Sequence, residues 1–373
     1  EEWFKVDWVN MLKLKASWGQ QGNDNIGDYR YTDTFSLKNF NDQVAFVQST
    51  VGNKNITWET NSNFNIGVDF ELFKSRLTGS VEYFRRKTTD MLCIVYVPLS
   101  SGYFSSYDNV GDMLNQGVEI DLHYNVIRTK DFNWTVNFNA THYKNKVLML
   151  NEDNKNGTLD GYSGYVNGNY FTGEGLPLHT FRLKRYAGVN EKGESTWYMK
   201  DSKTGDPTLY GGLSTSFRYK GIDLSVSLNY NIGGKAIDSG YRALMSNCAP
   251  GNTGKAFHKD LLKAWSETNT TSDIPRFQYA INTIDNNSAY TSDRFLTNAT
   301  TLSLQNINIG YTVPRKWANK LSLSSIRLYA SGENLYYWSK RKGFDPRGSF
   351  WGTTSNTSYS AMRTFSGGVT VSF

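Results

Sequence analysis

The side chains best suited to chemistry alternate along one predicted strand, where Glu119, Asp121 and His123 occupy every second position. Residues two apart on a strand share a face, so the two carboxyl groups would lie side by side. Such a pair could act as general acid and base. No nucleophile or positioned partner accompanies the pair. Carboxylates of this spacing on the polar face of a strand more often form ion pairs with residues of neighbouring strands. We therefore predict no catalytic site and keep Glu119 and Asp121 as candidate ligand contacts.

The cysteines and histidines predict neither a metal site nor a cofactor. The chain has two cysteines, Cys93 and Cys248, and four scattered histidines without ligand spacing. We predict that the two cysteines lie on the same side of the protein without forming a disulfide. An acidic stretch at 152–157 is similar to a calcium loop, but Ser163 stands where a bidentate Glu is required. We interpret that stretch as a solvated turn.

A loop at 161–171 interleaves aromatic rings with small and amide residues. Flat rings stack on sugar faces, and amide side chains hydrogen bond to hydroxyl groups. The loop is therefore a candidate ligand-binding segment, although the same rings could instead pack on neighbouring loops. Its candidate ligand contacts are Tyr162, Tyr165, Asn167, Tyr170 and Phe171.

The elements that must position these residues are strands, because ten segments alternate apolar and polar residues with period two. The links between the segments are alternately short and long, which is typical of outer-membrane barrels. The 373 residues carry a net charge of +6 and contain no apolar run long enough for a spanning helix. The pattern therefore predicts an all-β chain forming an antiparallel transmembrane β-barrel. In the eighth segment the alternation changes parity after Leu304, which predicts a bulge.

Aromatic residues bracket the aliphatic rows and predict the two girdles of a membrane barrel. Ordinary enrichment of aromatic residues in strands is the alternative explanation. Along the third segment the alternation places Arg85 and Lys87 toward lipopolysaccharide and Arg86 in the lumen. The predicted girdle residues are Trp18, Tyr83 and Tyr230 at the long-loop end, and Tyr124, Trp134 and Tyr219 at the short-turn end.

Several stretches, in order along nearly the whole chain, resemble the second half of SusC/RagA-type TonB-dependent outer-membrane transporters. Each stretch is weak alone, and the combination is specific. The stretches are WVNMLKLKASWG at 8–19, WET at 58–60, NIGVD at 65–69, RLTGSVEYF at 76–84, NQGVEI at 115–120, YKGIDLS at 219–225, NINIGY at 306–311, GENL at 332–335 and GFDP at 343–346.

The resemblance implies a 22-stranded barrel filled by a plug, of which residues 1–373 would be the C-terminal part with about ten strands. The plug and the N-terminal strands would be absent from this chain. It further implies TonB-dependent import of a glycan oligosaccharide or a peptide, with a SusD-like surface lipoprotein and TonB as partners. The expected location is the outer membrane of a Gram-negative bacterium.

Two other functions are compatible with the sequence pattern. The chain could be a complete ten-stranded outer-membrane enzyme with its active site in the loops, or a soluble carbohydrate-binding β-domain. Nucleic acid is not expected as a partner, because the basic clusters at 85–87 and 340–342 lack a binding motif. The last segment alternates up to Phe373. The resemblance implies that the barrel assembly machinery recognises this C-terminal aromatic residue.

Overall fold

The computed structural model describes residues 6–96, 100, 105–198, 202–246, 254, 256–277, 291–354 and 359–373. Its main feature is one sheet of ten antiparallel strands, each hydrogen bonded to the next along the chain. These wall strands are numbered β1 to β10 in chain order: Val9–Asn23, Glu59–Leu72, Leu77–Thr89, Gly111–Arg128, Phe132–Leu150, Pro207–Tyr219, Ile222–Gly233, Thr301–Thr312, Ser325–Ser339 and Thr364–Ser372.

The ten wall strands correspond to the ten alternating segments of the sequence, so the predicted antiparallel β architecture is confirmed. Four short links, at 73–76, 129–131, 220–221 and 313–324, lie at one end of the sheet, here called the short-turn end. Five long loops lie at the other end, here called the mouth, and run from 24–58, 90–110, 151–206, 234–300 and 340–363. In the described part of the chain the sheet is open, since its edge strands β1 and β10 do not pair with each other.

The predicted bulge in β8 is confirmed. The pairing of β8 with β7 shifts between Ser227 and Leu228, and its pairing with β9 shifts between Leu304 and Asn306. The extra residue returns Ile307 to the apolar face that Leu304 occupies, because each register step of one moves side chains to the opposite face. On the facing strand Asn334 has a φ of 51°, a left-handed conformation that asparagine tolerates.

The two faces of the sheet differ in chemistry. The outer face carries the aliphatic and aromatic rows and is widely exposed, with Leu14 at 72% and Phe365 at 74% of full exposure. The opposite face, here the lumen face, carries cross-strand ion pairs. The ammonium of Lys15 lies 2.8 Å from the Asp69 carboxylate and 3.2 Å from that of Glu82. An apolar outer face and a polar inner face are the arrangement of a membrane barrel.

The long loops fold into small sheets with a core of their own. Five buried side chains form this core, with Tyr170, Tyr241 and Leu261 packed against it: Phe181, Leu183, Ile237, Met245 and Phe295. The loop strands are Thr34–Phe40 with Gln43–Thr50; Leu92–Tyr96 with Ser105–Asn109; Gly157–Leu159, Tyr162–Asn167, Tyr170–Gly173, Thr180–Arg182 and Ser202–Thr204 in one sheet; Arg185–Val189 with Ser195–Tyr198; and Lys235–Ile237 with Leu296–Asn298.

In the part of the chain that the structure describes, helices are few and short. The α-helices are α1, Ser239–Leu244, and α2, Arg315–Ala318. The 3₁₀ helices are Glu152–Asn154, Lys259–Lys263, Asp293–Phe295, Asn319–Leu321 and Pro346–Gly348. Among the described residues no helix is long and apolar enough to cross a membrane.

Candidate functional site

The described part of the last long loop, 340–354 and 359–363, lies over the lumen face and borders an open cavity of about 530 Å³. Wall strands β6 to β9 supply amide and hydroxyl side chains to this cavity, and the loop supplies an ion pair and aromatic rings. Lining residues include Asn229, Asn231, Ser303, Gln305, Asn334, Asp345, Arg347, Phe350 and Tyr359.

A second cavity, of about 370 Å³, lies beside the first and shares Tyr210 and Phe350 with it. Its wall comes from the lumen face of β3, β4 and β5, and its other residues come from the loops. Lining residues include Arg86, Glu119, Tyr143, His179, Asp206 and Trp351. The two cavities together are called the mouth site here. Concave, partly apolar sites with a few placed polar groups are where proteins hold small molecules.

A continuous aromatic cluster joins the wall to the loops. Phe350 stacks on Tyr143 with ring centroids 6.3 Å apart and meets Tyr210 edge-on at 6.4 Å. The neighbouring Trp351 lies 5.5 Å from Phe350 and 4.4 Å from the ring of His179. Ring pairs at these distances are mutually attractive. The cluster therefore holds residues 350 and 351 at the mouth while leaving about half of each ring exposed.

Charged groups at the mouth site are held in fixed positions. The Arg347 guanidinium makes two hydrogen bonds of 2.8 Å to the Asp345 carboxylate and lies 4.6 Å from the centroid of the Tyr337 ring. Burial raises the pKa of the Asp345 carboxyl, but the hydrogen bonds from Arg347 outweigh it, so the pKa lies below its usual range. The pair therefore stays ionised at neutral pH and fixes the turn at 345–347, with Arg347 held against the Tyr337 ring of β9.

The substitution Asp345→Asn is expected to loosen the 340–363 loop, because it leaves the Arg347 cation without its carboxylate. Hydrogen bonds to charged groups contribute about 1.5–3 kcal/mol, so tryptic cleavage within the loop should be about tenfold faster. In the wild type the carboxylate's contribution is complete above about pH 4, near the pKa of an unfolded Asp, and is lost as the pH falls through the lower folded pKa. Asp42→Asn, in an exposed hairpin turn, is the control. Equal cleavage rates for the two variants would contradict the anchoring role.

The mouth site contains one of the residues predicted from sequence. Glu119 lines the second cavity, whereas Asp121, on the same strand face, is exposed and does not line it. Arg86 lines the same cavity, with its guanidinium 5.3 Å from the centroid of the Phe84 ring, so its predicted lumen orientation is confirmed. On the other face, Arg85 is exposed and Lys87 pairs with Asp112 at 3.0 Å. Phosphate binding by Arg85 and Lys87 stays a prediction.

The aromatic loop at 161–171 is part of a small sheet and does not line the mouth site. Phe171 is fully buried, so it offers no face to a ligand, and its predicted contact is wrong for that reason. Tyr170 stacks on Phe181 at 4.9 Å and donates a hydrogen bond to the Trp351 carbonyl, which ties two loops together. The other three predicted ligand contacts lie in the Tyr162–Asn167 strand. Tyr165 is half-buried, and Tyr162 and Asn167 are exposed. Their role in ligand binding stays a prediction.

Sequence reasoning missed most of the mouth site. Tyr143 and Tyr210 were not singled out, although both lie near the loop ends of wall strands. Phe350 and Trp351 follow the GFDP stretch at 343–346, which was used only as a family signature. A pair of adjacent aromatic residues shortly after that stretch, separated from it by Arg347, Gly348 and Ser349, is the signal that could have indicated them.

The predicted girdle residues all lie in wall strands and on the apolar rows. Trp18 is 69% exposed, and at the other end Trp134 stacks on Phe217 with centroids 5.4 Å apart. Their contact with membrane interfaces stays a prediction for the whole set: Trp18, Tyr83, Tyr230, Tyr124, Trp134 and Tyr219.

Two further predictions from the sequence concern the C-terminal aromatic residue and the cysteines. Phe373 follows β10 at the short-turn end, is 95% exposed and accepts a hydrogen bond from the Ser324 hydroxyl on its backbone oxygen. Its assembly role stays a prediction. Cys93 is exposed, and Cys248 lies outside the described residues, so the predicted absence of a disulfide is untested.

An antiparallel wall with an apolar outer face, a polar lumen face and loops folded into the mouth defines an outer-membrane barrel protein. Comparison with known protein families identifies the family of barrel proteins to which the chain belongs. Residues 4–335 match the family described as TonB dependent receptor-like, beta-barrel. The chain belongs to this family, whose members are outer-membrane proteins of Gram-negative bacteria.

The chain is similar to SusC/RagA-type members, as the sequence predicted. It is 27% identical to TonB-dependent receptor P3 of Formosa agariphila, over 98% of this chain and 40% of the relative. Identity to TonB-dependent receptor SusC of Bacteroides thetaiotaomicron is also 27%, over 91% of this chain and 36% of the relative. The solved structure of the RagAB peptide transporter superposes with a TM-score of 0.84 at 28% identity, over 99% of this chain and 42% of the solved one. The chain thus spans about two-fifths of the length of these relatives.

Proposed function

We propose that the full-length protein imports an oligomeric nutrient across the outer membrane by TonB-dependent transport. The nutrient would be a glycan oligosaccharide or a peptide. This chain would supply barrel wall, lumen surface and five outer loops. The observation that carries the proposal is the mouth site, where the 340–363 loop brings aromatic rings and an ion pair over the polar lumen face. A ligand entering from outside would meet these groups first.

The chemistry of the mouth site suits an oligomer with repeating polar groups. Exposed ring faces at Phe350 and Trp351 stack on sugar rings or on apolar side chains. Amides such as Asn229 and Asn231 donate to and accept from hydroxyl and peptide groups alike. The Asp345–Arg347 pair adds complementary charge for the termini or side chains of a peptide. Since the similar solved protein is a peptide transporter, peptides are the first class to test.

Two partners complete the proposal. TonB would act through a plug encoded outside this chain, and a SusD-like surface lipoprotein would cover the mouth, as the similarity to SusC and RagAB suggests. We propose transport in preference to catalysis, because the similar proteins are described as receptors and a transporter. Membership of an outer-membrane family argues against the soluble carbohydrate-binding domain.

Deletion of the gene for the full-length protein is expected to abolish depletion of one ligand class from the medium. Cells with and without the gene are given a mixture of oligopeptides or a mixture of oligosaccharides, and the remaining oligomers are quantified by mass spectrometry. Complementation with the wild-type gene should restore depletion of the same class. Identical depletion by deleted and complemented cells in both mixtures would contradict the import function.

A further inference from the structure

The link between β8 and β9 is unlike the other short links because it contains helical turns. Residues 313–324 include α2, Arg315–Ala318, and the 3₁₀ helix Asn319–Leu321. Two large apolar side chains in it are exposed, Trp317 at 62% and Leu321 at 65%. In soluble monomeric proteins, contiguous exposed apolar surface marks a site that binds another protein, a ligand or a membrane.

The fold holds this link in a defined shape. Ala318 is fully buried, and its backbone oxygen accepts a hydrogen bond from the Leu323 amide. Ser322 ends the link in a left-handed conformation, with a φ of 59°. Residues four apart on a helical segment lie on the same side, so Trp317 and Leu321 form one apolar strip. Lys316 and Lys320 have the same spacing and form a cationic strip beside it.

The cations of this link are free to bind an external anion. Arg315, Lys316 and Lys320 are all exposed, and none makes an ion pair with another residue in the described part of the chain. The other short links are also basic. Together the four links carry seven cations against the single carboxylate of Asp131: Lys74, Arg76, Lys130, Lys220, Arg315, Lys316 and Lys320. The four links themselves therefore carry a clear excess of positive charge.

The wall strands that the link joins end in exposed apolar side chains on the outer face. Tyr311 of β8 pairs with Leu328 of β9 at the strand ends beside the link, and both side chains are exposed on the outer face. Across β7, Ile222 pairs with Tyr311 and is 47% exposed. Exposed apolar side chains in a link next to the apolar face of a membrane barrel, with cations beside them, have the composition of an interfacial lipid anchor.

We propose that the 313–324 link binds anionic phospholipid headgroups of the leaflet at the short-turn end of the barrel. Lys316, Lys320 and Arg315 contact the phosphates, and Trp317 and Leu321 enter the upper acyl region. Each Lys or Arg near an anionic membrane surface strengthens binding by about fivefold. The anchor would fix the depth and tilt of the barrel in the bilayer. This inference is independent of which nutrient the protein imports.

The first test measures lipid retention on the full-length protein in detergent, using native mass spectrometry with equal amounts of phosphatidylglycerol and phosphatidylcholine. The wild type should retain phosphatidylglycerol preferentially, and the variant Lys316→Gln with Lys320→Gln should lose most of that preference, by about tenfold or more. The matched control is Lys259→Gln with Lys263→Gln, because these lysines are exposed and also four residues apart, but lie in a mouth loop. Equal loss in both variants, or no preference in the wild type, would overturn the proposal.

The second test needs no change to the cations. The full-length protein is placed in bilayers containing lipids brominated on the acyl chain near the headgroup, and the fluorescence due to Trp317 is taken as the difference between wild type and Trp317→Phe. Bromine should quench this difference signal strongly. An unquenched signal would place the indole in water and overturn the proposal, leaving the exposed strip free for a periplasmic protein.

Discussion

Replacement of both Phe350 and Trp351 by alanine is expected to weaken ligand binding to the full-length protein by about a hundredfold or more. These rings form the exposed part of an aromatic cluster whose other members, Tyr143, Tyr210 and His179, hold them in place. Large rings preordered in a partly desolvated pocket are the side chains whose truncation costs most in binding, about 2 kcal/mol or more each. The expected loss follows from removing two such rings at one site.

Binding is measured by isothermal titration with the oligomer that the depletion experiment identifies. The matched control is Tyr162→Ala with Tyr165→Ala, because these rings were the ligand contacts predicted from sequence and they lie outside the mouth site. The control should bind as the wild type does. Heat-modifiable migration shows that each variant has a folded barrel. Weakened binding in the control together with unchanged binding in the Phe350 and Trp351 variant would move the site to the 161–171 loop.

The wall could be predicted from the sequence because its physical determinants are local. Each wall strand places one face in lipid and the other toward polar surroundings, so period-two alternation is visible without knowing any long-range contact. Even the bulge near Leu304 was detectable, since an inserted residue shifts the parity of the pattern. Loop lengths then ordered the strands into a meander, because short links, three of them only two to four residues long, join antiparallel neighbours at one end of the sheet.

The mouth site could not be predicted in the same way, because its contacts join distant parts of the chain. The Tyr170 hydroxyl reaches the Trp351 carbonyl across 181 residues of sequence. Loop residues also have no periodicity that separates a buried ring from an exposed one. Phe171 and Tyr162 therefore read alike in the sequence, whereas the structure buries the first and exposes the second. Glu119 was accessible to prediction because a strand determines which face it occupies.

Gly117 lies beneath a ring that lines the mouth site, and Gly117→Val is expected to destabilise the folded barrel. Gly117 pairs directly with Phe84 across β3 and β4, and the Phe84 ring lies over the glycine. A Cβ atom at position 117 would clash with the His142 backbone oxygen and would lie 2.9 Å from the Phe84 ring. Neither the β5 backbone nor a ring that is 7% exposed can yield without moving its neighbours.

The expected loss in the free energy of unfolding for Gly117→Val is about 3 kcal/mol, the upper part of the range for overpacked sites. The measurement is urea-induced unfolding of the full-length protein, followed by heat-modifiable migration. Gly212→Val is the matched control, because Gly212 is also a lumen-facing glycine in a wall strand and its nearest contacts to an added Cβ are 3.4 Å or more. A smaller second effect is expected at the mouth, since the guanidinium of Arg86 rests on the Phe84 ring and lines the second cavity. If Gly117→Val unfolds at the same urea concentration as Gly212→Val, packing of the Phe84 ring does not require a glycine at position 117.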